Sequence, residues 1–174
     1  TLTYTFGSLS GTISTKTTAT TVNWTPALTM ANQLPNATSG TGTLKCTTYS
    51  GNTAVGSKSI TITLKVPTTV VPSLTSLTAA RVNGTVPSSW GIYVQTKSKA
   101  TLTINGAAGS YGSTITGYSI TGGGFSSTSS SFTTGFLNTS GTITFTATVT
   151  DSRGRTSAAK TVSISVVAYS APSF

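Results

Sequence analysis

Apolar and hydroxyl-bearing residues alternate along much of this chain. The cleanest stretch is Thr142-Ile143-Thr144-Phe145-Thr146-Ala147-Thr148-Val149-Thr150. Successive side chains of a strand point to opposite faces, so this period of two sets Ile143, Phe145, Ala147 and Val149 on a buried face and the threonines toward water. Threonine is β-branched and sits well on a pleated surface, so propensity agrees with pattern. A second run, Ala158 to Val167, turns Val162, Ile164 and Val166 inward. Between the two lies Asp151-Ser152-Arg153-Gly154-Arg155, which has turn chemistry: Asp bonds its own backbone and Gly accepts positive φ. The pair predicts a hairpin.

The same arrangement occurs earlier, where Leu44 to Tyr49 leads through Ser50-Gly51-Asn52 and Gly56 into Ile60 to Val66. Each hairpin runs into a proline-bearing segment, Val66 to Ser73 with Pro67 and Pro72, and Val167 to Ser173 with Pro172. This predicts a weak tandem repeat whose copies join at an extended linker, since proline and the residue before it favour extended backbone. The expected domains are 1–70 and 71–174, the second closing in a C-terminal linker. Further strands are expected at Leu74 to Val82, Ile92 to Gln95, Ala100 to Ile104, Ser113 to Ile120 and Ser130 to Thr134. No window has helical periodicity. The fold expected is all-β, two tandem immunoglobulin-like β-sandwich domains, with a small barrel as the alternative. Gly122-Gly123-Gly124 precedes no helix and reads as a strand connection, not a phosphate loop.

Composition then removes most catalytic chemistry. The chain has Lys+Arg 10, Asp+Glu 1 and His 0. General acid-base catalysis calls for His or a carboxylate, glycoside hydrolysis for two carboxylates, and a serine nucleophile for a base beside it. The expectation is a protein that is not an enzyme, with no catalytic residue, no cofactor and no metal site, because zinc and calcium sites need several His, Cys or carboxylate ligands. Cys46 stands alone, so no intrachain disulfide forms. It shares a strand face with Leu44 and reads as a small buried thiol.

The formal charge is +9, yet only 6% of residues are charged, so hydroxyls dominate the surface. Lys and Arg are spread out, with close pairs only at Lys97/Lys99 and Arg153/Arg155, which argues against nucleic-acid binding. Lys45 and Lys65 read as edge-strand lysines that block sheet-to-sheet pairing. No apolar run approaches the ~20 residues of a membrane span, so no membrane insertion is expected. Among the aromatics, Trp24 reads as a core anchor. Trp90, before Gly91 at a strand entrance, reads as a partly exposed ring. With Tyr93, Tyr111, Lys97 and Lys99 it makes the candidate surface-contact set, and this set carries the alternative of a carbohydrate-binding or bacterial adhesin module. The isopeptide bond of some bacterial adhesins needs a buried carboxylate, and Asp151, the sole acid, reads as a turn residue.

Certain stretches go beyond generic strands: Val22-Asn23-Trp24-Thr25-Pro26, Leu34-Pro35-Asn36-Ala37-Thr38-Ser39-Gly40, Gly106-Ala107-Ala108-Gly109-Ser110-Tyr111-Gly112 and the closing Val149 to Arg155. Their order resembles the immunoglobulin-like repeats of minor structural and tail proteins of long-tailed phages and prophages of Gram-positive bacteria. The resemblance spans nearly the whole chain, through motifs of fold and turn, not of a chemical site. It implies a place in the virion, in the tail, on a fibre or near the host-contacting tip, with other virion proteins as partners and oligomers formed through sheet faces. It implies no ligand residues. Joined to the positive charge, it makes a host cell-wall glycan or teichoic acid the expected polymer contact. The alternative location is the bacterial cell surface.

Overall fold

A computed structural model of the chain describes residues 1–82 and 84–172; Ser173, in the expected closing linker, lies outside them. The chain divides into two compact units, one made of 1–70 with 111–113, the other of 71–110 with the described residues from Thr114 onward.

In the first unit β1 (Leu2–Phe6), β2 (Leu9–Ser14), β3 (Ser39–Ser50) and β4 (Thr53–Lys65) make one antiparallel sheet in the order β2-β1-β3-β4. Register places Tyr4 beside Leu44 and Leu44 beside Ile60, so Leu2, Tyr4, Phe6, Leu44, Ile60 and Ile62 share a face. The segment 15–38 covers part of it. Trp24 stacks on Tyr4 with ring centroids 4.9 Å apart, and a short 3-10 helix, Leu28–Gln33, buries Met30 and Ala31. Glycine at position 42 is what lets Phe6 lie this close: a Cβ there would stand 2.7 Å from the Thr5 carbonyl oxygen and 3.1 Å from the Phe6 ring.

The expected sandwich does not form in this unit, whose strands supply one sheet. The covering segment has no alternation and contains Pro26 and Pro35, which cannot donate to a ladder, so it lies over the sheet as irregular backbone and a 3-10 turn. Trp24 is half-buried and sits on that segment, outside any strand. Cys46 is exposed, not buried as its alternation suggests. It pairs with Leu2, two rungs past the Tyr4–Leu44 pair on which Trp24 stacks, and faces an open recess lined by Leu2 and by Thr17 to Thr20 of the covering segment. Lys45 lies on the inner strand β3 and so has no edge role; Lys58 joins Lys65 on the edge strand β4. The extended linker expected at Pro67–Pro72 is instead folded back, the Val70 N–H donating to the Pro67 carbonyl at 3.0 Å, with Val70 buried.

In the second unit β5 (Ser76–Val82), β7 (Lys99–Asn105) and β10 (Ser131–Thr133) form one sheet, ordered β10-β7-β5. β6 (Tyr93–Val94), β8 (Ile115–Gly122), β9 (Phe125–Ser127), β11 (Gly141–Asp151) and β12 (Lys160–Val167) form another, ordered β6-β12-β11-β8-β9. One core joins them: Leu77, Ala100 and Leu102 from the first sheet meet Ile120, Ile143, Phe145, Val149, Ile164 and Val166 from the second. The period-two reading of β11 holds in full, with Ile143, Phe145, Ala147 and Val149 all buried. On the outer faces hydroxyls pair across strands, Thr144 with Ser163 at 2.8 Å and Thr101 with Thr133 at 2.9 Å. β9 is the strand that alternation missed, being three residues long. It follows the glycine run, where Gly122 takes φ 144° and a Cβ would meet the Thr144 carbonyl oxygen at 2.4 Å.

Asp151 closes the β11–β12 connection and is 1% exposed. Its Oδ1 accepts the N–H groups of Arg153 and Arg155, each at 3.0 Å, and its Oδ2 lies 3.9 Å from the buried guanidinium of Arg153. That guanidinium also donates to the Ser110 carbonyl at 2.6 Å. The turn role expected of Asp151 is met, by a carboxylate drawn wholly inside.

Candidate functional site

Three short stretches of the second unit converge on one groove. The first is Pro87 to Gly91. Proline fixes φ at a helix start, and the Pro87 carbonyl accepts the Trp90 N–H at 3.2 Å to make one 3-10 turn, ended by Gly91 in the left-handed region at φ 63°. Arg81 of β5 holds this turn through a 2.8 Å bond from its Nη2 to the Ser88 carbonyl. The indole of Trp90 is thereby presented outward and is 62% exposed.

The second stretch is the turn after β6. The N–H groups of Lys97 and Ser98 donate to the Val94 carbonyl at 3.1 and 2.9 Å, and the Ser98 hydroxyl accepts the Val94 N–H at 2.9 Å. Ser98 is 1% exposed, so the turn is anchored through it while Lys97 points away.

The third is the chain leaving β12. β6 and β12 pair in parallel, Val94 beside Val167, and the Gln95 N–H continues the ladder to the Val167 carbonyl at 2.9 Å. Tyr169 is brought by this pairing to Lys97, whose Nζ lies 4.9 Å from the ring centroid. The result is a groove of about 360 Å³ with Val86, Pro87 and Val94 among its lining, Trp90 and Tyr169 as its aromatic members and Lys97 as its cation. Val86 and Val94 are buried, whereas Tyr169 is 43% exposed.

Of the candidate residues, the groove gathers Trp90 and Lys97. Lys99 is on β7, its Nζ 4.7 Å from the exposed ring of Phe136. Tyr93 turns toward a separate recess beside Ala79, Val162 and Ile164 and packs on the core. Burial raises its phenol pKa above the usual value, with the nearby Arg81 charge working partly against the rise. Tyr111 belongs to the first unit and is exposed. Tyr169 and Phe136 went unmarked in the sequence. Tyr169 stands in a proline-bearing segment far along the chain from Lys97, and only the parallel β6–β12 pairing joins them; a lone aromatic just past a strand was the available signal.

The electrostatics are one-sided. Asp+Glu is 1 for the whole chain, and that one, Asp151, is buried beside Arg153. No side-chain carboxylate therefore reaches the surface to oppose an approaching anion. Among the described residues no helix is long and apolar enough to cross a membrane.

No curated protein matches the chain. A family model does, over residues 1–174, and the chain belongs to that family, the siphovirus proteins of unknown function termed DUF859.

Proposed function

We propose that this siphovirus protein is a non-catalytic structural module of the virion, placed in a tail or fibre, and that its second unit is an immunoglobulin-like sandwich. The observation that carries the reading is strand order, in a chain matched by a siphovirus family from end to end. Seven-strand immunoglobulin sandwiches set the first, second, fourth and fifth strands on one sheet and the third, sixth and seventh on the other. Here β5, β7 and β10 take the first, second and fifth places, with no counterpart of the fourth on that sheet among the described residues, while β8, β11 and β12 lie side by side in the second. β6 and β9 add to the outer edges of that second sheet, β6 through a parallel pairing with β12.

The chemistry supports a role in placement rather than turnover. A chain without His, whose one carboxylate is committed to a turn, has no ordinary general acid or base to offer. Neighbouring virion proteins are the partners, met through sheet faces and edges that carry Thr and Ser. Antibody raised against the 174-residue chain and imaged on intact particles should decorate a fixed position on the tail. Particles that bind no antibody anywhere, under conditions where the free protein does, would overturn the placement.

A further inference from the structure

We infer that the groove between Trp90 and Tyr169 is a binding site for an anionic polysaccharide. Four features of the second unit meet there. Trp90 is 62% exposed and Tyr169 43% exposed, although aromatic rings of this size ordinarily bury most of their area. The indole is not simply left out: the 3-10 turn, the αL Gly91 and the Arg81–Ser88 bond hold it outward. Flat apolar rings of this kind stack on the C–H faces of sugars, and a groove of about 360 Å³ holds one or two pyranose rings with the remainder of the chain in solvent.

The charge at the groove selects among glycans. Lys97 stands over Tyr169 at 4.9 Å from the ring centroid, a contact that fixes the ammonium at the lip beside the stacking surface. Lys99, over Phe136 at 4.7 Å, is a second lysine set on an exposed ring, on β7 and outside the groove's own lining. With the sole acidic side chain buried against Arg153, none is exposed to repel a negatively charged chain or to compete for Lys97. A neutral sugar would use the rings and leave the lysines without an anionic partner. A bare polyanion would use the ammonium groups and leave the rings exposed. A sugar chain bearing carboxylate or phosphate groups satisfies both. The site does not depend on where in the virion the protein sits, so failure here would leave the structural reading standing.

The test uses the whole chain with three soluble probes: polygalacturonate as an anionic polysaccharide, dextran as a neutral one, and inorganic polyphosphate as charge without sugar. Polygalacturonate should bind and shift Trp emission in a Trp24→Phe variant but not in Trp90→Phe, because each unit holds one of the two Trp residues. Trp90→Ala and Lys97→Gln should each weaken binding about tenfold, the factor that accompanies 1.4 kcal/mol. Lys160→Gln removes the same charge from the opposite end of β12 and should leave affinity within about twofold, a difference below 0.5 kcal/mol. Binding should fall between low and physiological salt. Equal binding of dextran, or polyphosphate binding as tight as polygalacturonate and indifferent to Trp90→Ala, would overturn the proposal, as would equal losses from Lys97→Gln and Lys160→Gln. Circular dichroism of each variant separates lost binding from lost fold.

Discussion

Asp151 shows what a single residue contributes when it is the only one of its kind. Its carboxylate accepts two backbone N–H groups and faces the Arg153 guanidinium, with both side chains fully buried. Removing one partner of a buried pair leaves the other charge uncompensated, which costs about 3–5 kcal/mol. Asp151→Ala is therefore expected to lose that much stability in urea unfolding. Asp151→Asn keeps an oxygen for the N–H groups and should lose less; changes below about 0.5 kcal/mol in both would remove Asp151 from this role. Tyr93 gives a pH prediction. Burial raises its pKa above 10.0, so the folded state prefers the neutral phenol. That contribution is fully present below the unfolded value and is lost as pH rises through the higher folded one. Stability should fall on the alkaline side, and Tyr93→Phe should flatten the fall; an unfolding midpoint with the same alkaline slope in both proteins would count against it. At this scale the sequence was legible in part. Trp90 and Lys97 stood out through an aromatic beside Gly91 and a close basic pair, whereas Tyr169 was hidden because a parallel strand pairing, not local pattern, brings it to them.

Among the elements, alternation located nearly every strand of the second unit, because a strand buried on one face must repeat every second residue. In the first unit it found β3 and the second half of β4 but neither β1 nor β2, and β2 has no buried residue to mark a face. β4 runs from Thr53 to Lys65 with Val55 and Ile60 exposed at 61% and 55%, so its pattern reports a strand without reporting a core. As the outer member of the order β2-β1-β3-β4, β4 presents an unpaired row of backbone groups. Long edges with apolar side chains invite pairing between copies, and charged residues on them hold it off. Lys58 sits midway along β4, between Val55 and Ile60. Lys58→Val is expected to convert this edge into a self-associating one, seen in sedimentation velocity as a sedimentation coefficient that climbs with concentration. If the variant sediments like the parent at every concentration, protection of the edge lies elsewhere. The same reasoning explains the missed sheet arrangement: a covering segment with Pro26 and Pro35 carries no strand signal, and its docking on Tyr4 through Trp24 is a tertiary event.

Over the whole molecule the two units differ in how much they bury. The first relies on Phe6, Met30, Ala31, Val66 and Val70, with Leu34 partly covered. The second joins two sheets through a continuous core that includes the fully buried Leu102, Phe145, Leu137 and Val149. Apolar burial contributes about 25 cal/mol per Å², and small units bury a smaller share of their surface, so the first unit should open at the lower denaturant concentration. Hydrogen exchange across a urea series reads this directly, because amides are released when the unit that holds them opens. Peptides from β1 and β3 are expected to lose protection first, followed at higher urea by those from β7 and β11. The Trp24 emission of a Trp90→Phe variant should change with the earlier event, since Trp24 is held by its stack on Tyr4. Loss of protection at one common urea concentration for β3 and β11 would mean that the chain unfolds as one cooperative body, and that the thin core of the first unit is not what limits its stability.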